Sequence, residues 1–234
     1  MEQPESIVFC WSGGKDSALA LYELLRDRRY SVVALLTTCN QDVQRISMHG
    51  VRIELAQAQA EAIGLPLEVV YVPANGSNEA YEAAMGAKLA ELKERGVTAV
   101  AFGDINLADL RAWREERLAA LGLRAMFPLW DRDTRELIGE FLDLGFRTVV
   151  CCVNDAYLGE EAVGVTIDRA FLAALPAGVD PCGENGEFHT FAYAGPLFDR
   201  AVSFAVGEKV YRPLEVAEPT IAGRGFWYCD LVPC

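Results

Sequence analysis

The chain has 234 residues, 52% of them hydrophobic, which suits one large domain or two small ones around an ample core. Its net charge of −13 divides into −4 over residues 1–126 (13 basic, 17 acidic) and −9 over 127–234 (8 basic, 17 acidic), a balance that disfavours nucleic acid. No apolar run approaches the ~18–20 residues of a membrane helix, Glu2 and Glu5 break any signal-peptide layout, and seven cysteines without C-x-x-C spacing fit reduced thiols in the cytoplasm.

In chain order, strands fit residues 6–11, 31–37, 67–72 and 98–102, and helices fit about 15–28, 50–63, 79–95 and 107–121. Val51, Leu55, Ala58 and Ala62 share one face of the second helix, and Leu107, Leu110, Leu118 and Leu121 one face of the fourth. This alternation predicts an α/β fold, a doubly wound parallel sheet with helices on both sides. Ligands in such sheets sit at the carboxyl ends of strands, beside the point where strand order reverses. Phe127-Pro128-Leu129-Trp130 interrupts the pattern. A helix over 134–144, a strand over 146–153, a glycine-rich loop over 178–186 and several short strands then predict a smaller α+β unit. The division is residues 1–127 for nucleotide and 128–234 for substrate.

Ser12-Gly13-Gly14-Lys15-Asp16-Ser17 lies between the first strand and the first helix. Gly13 and Gly14 can take φ > 0, so their amides can close around phosphate oxygens. The helix start, the Lys15 charge and the Ser12 and Ser17 hydroxyls converge on the same place. The pattern G-x-x-x-x-G-K-[ST] fails, because Phe9 stands where its leading glycine belongs and Asp16 follows the lysine. The hexapeptide resembles instead the pyrophosphate loop of the N-type ATP pyrophosphatases, which cut between the α- and β-phosphates.

Together with Phe102-Gly103-Asp104-Ile105, Phe127–Trp130 and the segment from Gly178 to Phe191 (GVDPCGENGEFHTF), the chain resembles the diphthine–ammonia ligase family of ATP-binding proteins from about residue 6 to 200. The resemblance implies a HUP-type, Rossmann-like domain carrying ATP and a smaller domain bearing the late motif. It also implies ATP-dependent amidation of diphthine, a modified histidine on a translation elongation factor, with release of AMP and pyrophosphate. The late motif departs from the family at Asn185, where glycine is common, and at His189, where many members carry an acid. Ser47-Met48-His49-Gly50 and Leu110–Glu115 mark a branch whose acceptor is less defined.

Chemistry assigns the roles. The loop is expected to hold the β- and γ-phosphates, with Lys15 countering charge on the departing pyrophosphate. Asp16 suits Mg²⁺, a hard cation, or else complements the helix dipole. Gly103 and Asp104 end the fourth strand at the nucleotide, where Asp104 serves metal, ribose or a helix cap. Glu184, Glu187 and His189 suit binding and deprotonation of ammonium, because histidine changes charge near pH 7. His49 shows no partner and is expected to have no catalytic duty. No terminal glutaminase cysteine is seen at Met1-Glu2, so free ammonium, or ammonia from a separate protein, is the expected donor. Trp130, Tyr157, Tyr193, Trp227 and Tyr228 are candidates to cage the quaternary ammonium of diphthine. Two alternatives keep the nucleotide site: another carboxylate or carbonyl acceptor, and a non-catalytic adenine-nucleotide-binding regulatory module. A homo-oligomer is compatible with the sequence.

Overall fold

The computed structural model describes residues 3–47, 49–73, 78–214 and 222–234. Met1, Glu2 and Met48 of the segments quoted above lie outside the described residues. Strand β1 (Glu5–Cys10) is covered on both faces. Ile7 and Phe9 enter one apolar cluster with Leu21 and Leu35, and Val8 enters another with Ala34, Leu36 and Val100. A strand with two buried faces needs no polar alternation, so it reads as a continuous apolar run.

Parallel neighbours flank β1: β2 (Tyr30–Asn40) on one side and β5 (Ala99–Ala101) on the other. Pairing of β4 (Leu67–Val72) with β2 and of β6 (Arg124–Met126) with β5 gives the parallel order β4-β2-β1-β5-β6. The two-residue β3 (Arg45–Ile46) pairs antiparallel with the far end of β2. Strand order therefore reverses between β1 and β5, and the loops after both strands meet there.

Helices α1 (Lys15–Arg26) and α2 (Ile53–Ile63) pack into the first cluster through Leu19, Leu21, Leu55 and Ala60. The opposite face takes α3 (Asn78–Glu94) and α4 (Ala108–Ala120) through Leu89, Leu92 and Leu118. The doubly wound expectation holds. One residue of the expected α4 stripe is misplaced: Leu107 precedes the helix as its N-cap residue and is exposed, because its backbone (φ −80°, ψ 86°) is not helical. Among the described residues no helix is long and apolar enough to cross a membrane.

Beyond β6, Asp133 caps α5 (Thr134–Asp143) by accepting from the amides of Arg135 and Glu136. The strands β7 (Arg147–Asn154), β8 (Phe188–Ala194), β9 (Phe204–Pro213) and β10 (Gly225–Pro233) form an antiparallel sheet in the order β8-β7-β10-β9. The short α6 (Arg169–Ala174), β3 and β6 were not anticipated, since two to six residues carry no readable period. The first cluster continues through Phe141 of α5, Val150 of β7 and Phe191 of β8, so both sheets share it. Arg132 adds a tie, pairing with Glu23 of α1 at 2.6 Å and Glu140 of α5 at 2.5 Å.

Phe191 is fully buried in this shared cluster. Phe191→Ala should lower unfolding free energy by about 3–5 kcal/mol in a urea titration, still with one transition. A loss below about 1 kcal/mol would contradict the shared core.

Candidate active site

Residues 11–14 turn the chain from β1 into α1, and a side chain from α2 fixes the turn. Gln59, fully buried, donates through Nε2 to the carbonyls of Gly13 (2.9 Å) and Ala192 (2.6 Å). Its Oε1 accepts from the Trp11 indole at 2.9 Å. The Ala192 amide also donates to the Gly13 carbonyl at 2.8 Å, and the Lys15 amide donates to Thr190 Oγ1 at 3.0 Å. Strand β8 thus lies along the loop. Gly13 is left-handed (φ 79°), and a Cβ there would come within 2.7 Å of Gln59 Oε1.

Gly14 departs from expectation: it is extended (φ −84°) and is required for space, since a Cβ would lie 3.1 Å from His49 Cε1 and 3.2 Å from the Thr190 carbonyl oxygen. Gly103 also serves close approach, because a Cβ there would sit 2.9 Å from the Ser17 amide nitrogen. The Ser12 and Ser17 hydroxyls are 2.7 Å apart, and the Gly14 amide donates to Ser12 Oγ at 3.3 Å. The amides of Asp16 and Ser17 open α1 and have no intrahelical acceptor.

Lys15 does not point along the loop as expected. Its buried ammonium donates to both Asp16 carboxylate oxygens (2.7 and 2.9 Å) and to the Cys182 carbonyl, and lies 5.6 Å from the Phe188 ring centre. Burial opposes its charge most strongly, but Asp16, with Cys182 and Glu184 adding to it, raises the Lys15 pKa on balance. Burial pushes Asp16 up against the pull of Lys15. Glu184 joins the group, accepting from the Ile105 amide. Burial, and then the Asp16 charge, push its pKa up to about 7, with Asp104 adding to the rise and Lys15 opposing it. Asp104 does not cap α4: its carboxylate pairs with Arg114 at 2.7 Å, and that guanidinium lies 4.2 Å from the Phe102 ring centre. Lys15, Asp16, Asp104 and Glu184 thereby form one charged cluster at the switch point.

The late loop is folded around two carboxylates. Asp180 accepts from the amides of Cys182 (2.8 Å) and Glu184 (3.3 Å) and from Thr134 Oγ1 (2.6 Å). Glu187, expected beside Glu184 as an ammonium ligand, is fully buried. Its carboxylate accepts from the amides of Asp180 and Asn185 (2.9 Å each) and from Asn185 Nδ2 (3.0 Å). It holds the loop shape and points no free oxygen at an ammonium.

His189 also differs from expectation. Burial, with the neighbouring His49 and Lys15, brings its pKa down to about 3, so its charge does not change near pH 7. His49 lies against it with ring centres 4.7 Å apart, directs Nδ1 to the Thr190 carbonyl at 3.3 Å, and is brought down to about 4, mainly by burial. His49 therefore belongs to the site.

Among the described residues, no two of Trp130, Tyr157, Tyr193, Trp227 and Tyr228 form a ring pair with each other. Trp130 carries the Arg111 guanidinium 4.4 Å from its centre, Tyr193 packs on Phe204 at 5.3 Å, and Trp227 on Tyr211 at 5.2 Å. Among the described residues no three or more His, Cys, Asp and Glu side chains gather as a metal site. Mg²⁺ typically needs only one or two carboxylates beside phosphate oxygens, a mode that Asp16 and its acidic neighbours fit.

A phosphate loop at the switch point of a parallel sheet, faced by a strand of a second sheet, defines an α/β protein built to hold an anionic ligand. The chain belongs to the diphthamide synthase family: models of the diphthamide synthase N-terminal and C-terminal domains match residues 5–125 and 133–215. It is 27% identical to a diphthine–ammonia ligase of Danio rerio over 85% of this chain and 86% of that one. It is also 27% identical to one of Homo sapiens over 89% and 86%, and 25% identical to one of Schizosaccharomyces pombe over 82% and 34%. Among solved structures, a predicted subunit of tRNA methyltransferase from Methanocaldococcus jannaschii superposes with a TM-score of 0.39 at 14% identity, covering 66% of this chain and 80% of that one.

Two outcomes check this geometry. Gln59→Leu strands the Trp11 N–H and the Ala192 carbonyl, and should destabilise the fold by roughly 2 kcal/mol or more by urea unfolding. Glu184 binds its proton more tightly folded than unfolded, so its share of stability is lost as pH rises from the ordinary carboxylate value to about 7. Glu184→Gln should therefore melt higher than the parent at pH 8 and at nearly the same temperature at pH 5.

Proposed function

We propose that this protein is an ATP-dependent amide ligase of the diphthine–ammonia type. The observation that carries the reading is the meeting of residues 12–17 with the Cys182–Thr190 segment, through Lys15 Nζ on the Cys182 carbonyl and the Lys15 amide on Thr190. Residues 1–127 bind nucleotide and residues 128–234 shape the acceptor side. A triphosphate engages the start of α1 and the Ser12 and Ser17 hydroxyls, taking over donors now turned to Thr190 and Ser12. It draws the Lys15 ammonium from Asp16 toward the pyrophosphate. Asp16 would hold Mg²⁺, which supplies countercharge to the phosphates.

The acceptor carboxylate oxygen attacks the α-phosphorus, the bond to the bridging oxygen of the β-phosphate breaks, and pyrophosphate leaves. Ammonium gives one proton to Glu184, whose pKa of about 7 matches the working range. Ammonia attacks the acyl carbon, AMP departs with the oxygen, and a second proton is lost to yield the amide. The acceptor is a diphthine carboxylate on a translation elongation factor. The reducing cytoplasm suits the seven free thiols.

With a diphthine-bearing elongation factor, ATP and ammonium chloride, Lys15→Ala should cut AMP formation by roughly 10²–10³ at unchanged circular dichroism. Unaltered turnover, or ADP as product, would overturn the reading. In the parent protein kcat/KM, expressed per neutral ammonia, should fall below pH about 7, where Glu184 takes up its proton. Glu184→Gln should remove that limb and cost about 10²–10⁴ in rate.

A further inference from the structure

His49 stands beside residues that are tied to the second sheet. Arg45 donates to the Gly50 carbonyl at 2.7 Å, and Arg45 and Arg52 both bind Asp230 of β10, at 2.9 and 2.6 Å. Gly50 is left-handed (φ 68°), and a Cβ there would meet the Tyr228 ring at 2.9 Å. Arg45, Gly50 and Arg52 are thus held against β10, and His49 Cε1 lies against Gly14. With Nδ1–H donating to the Thr190 carbonyl, Nε2 of His49 is left as an acceptor. Among the described residues neither Nε2 of His49 nor either ring nitrogen of His189 has a hydrogen-bond partner. Two half-buried imidazoles with open acceptor nitrogens, 4.7 Å apart, therefore border the turn into α1.

We propose that His49 and His189 together form a subsite for neutral ammonia, a small N–H donor, with His189 touching the nitrogen and His49 fixing the His189 ring while offering Nε2 as a second acceptor. The inference rests on the ligase reading above. Two features select ammonia over ammonium. Both rings are uncharged at neutral pH, so they accept N–H bonds without supplying the countercharge that an ammonium ion needs. The charged group that reaches both is the Lys15 ammonium, which repels a cation and leaves a neutral amine unaffected. Glu184 also lies within reach of Lys15, so the proton shed by ammonium stays on the acidic side of the lysine.

Titration of ¹⁵N-histidine-labelled protein with ammonium chloride tests this without ATP or acceptor, so its failure is distinguishable from failure of the ligase reading. The His189 ring resonances should move saturably, and equal tetramethylammonium chloride should leave them still. Half-saturation in total ammonium should fall about tenfold per pH unit between pH 6.5 and 8, as the neutral fraction grows. His49→Asn keeps a donor for the Thr190 carbonyl and removes Nε2; it should raise half-saturation, and KM for ammonium in turnover, roughly tenfold, the effect of about 1.4 kcal/mol. KM for ATP should stay within about twofold, which merely structural damage would not spare. The absence of saturable movement in the parent protein, half-saturation independent of pH, or an unaltered His49→Asn would each overturn the proposal, and the parent titration decides even if the variant does not fold.

Discussion

The site depends on one fully buried amide. Gln59 joins the Trp11 indole, the Gly13 carbonyl and the Ala192 carbonyl, so a helix of the first sheet holds the phosphate loop against a strand of the second. All the hydrogen-bonding directions of such a group must be satisfied in a dry interior, where a missing partner costs about 1–3 kcal/mol. Few arrangements satisfy it, which fixes the loop more narrowly than glycine flexibility alone would. Gly13 shows the same constraint from the other side, since its missing Cβ is the space that Gln59 Oε1 occupies.

Around that fixed turn the charges are unbalanced. Lys15 is buried among Asp16, Glu184 and the carbonyl of Cys182, while Arg114 is committed to Asp104 and Arg111 to the faces of Trp130 and Phe127. The consequence of crowding acids is visible in Glu184, which ionises near pH 7. A nucleotide bound here would add more negative charge to this place, which only added countercharge can offset. The acidity of the chain is therefore partly a property of its site, and is more than a solvated surface.

Much of the architecture was legible because β1 and its neighbours bury both faces and because α1, α2 and α4 carry apolar residues at helical spacing. The exceptions are local. Leu107 fits the spacing of α4 but precedes the helix, and β3 and β6 are too short to show a period. At the site, the glycine-serine loop announced itself by composition and position. Roles were harder to read, because the residue types of the late loop permit several geometries. Glu184 and Glu187 look equivalent in sequence, yet one faces Lys15 and the other is consumed by the loop's own amides. His189 is a base by type and a half-buried neutral ring by placement. His49 stood in a segment that marked the branch but showed no partner in the sequence. Gln59 did give a local signal: it stands four residues after Leu55 and three before Ala62, a polar side chain in an apolar stripe.

The partners of the loop are far apart along the chain, Gln59 and Ala192 by 133 positions and Lys15 and Thr190 by 175. During synthesis the glycine turn leaves the ribosome well before the strand that completes it. Until β8 arrives, Gln59 and Trp11 lack their far anchor, and the shared core lacks Phe191. A nascent or truncated polypeptide that lacks β8 is thus denied the finished cradle.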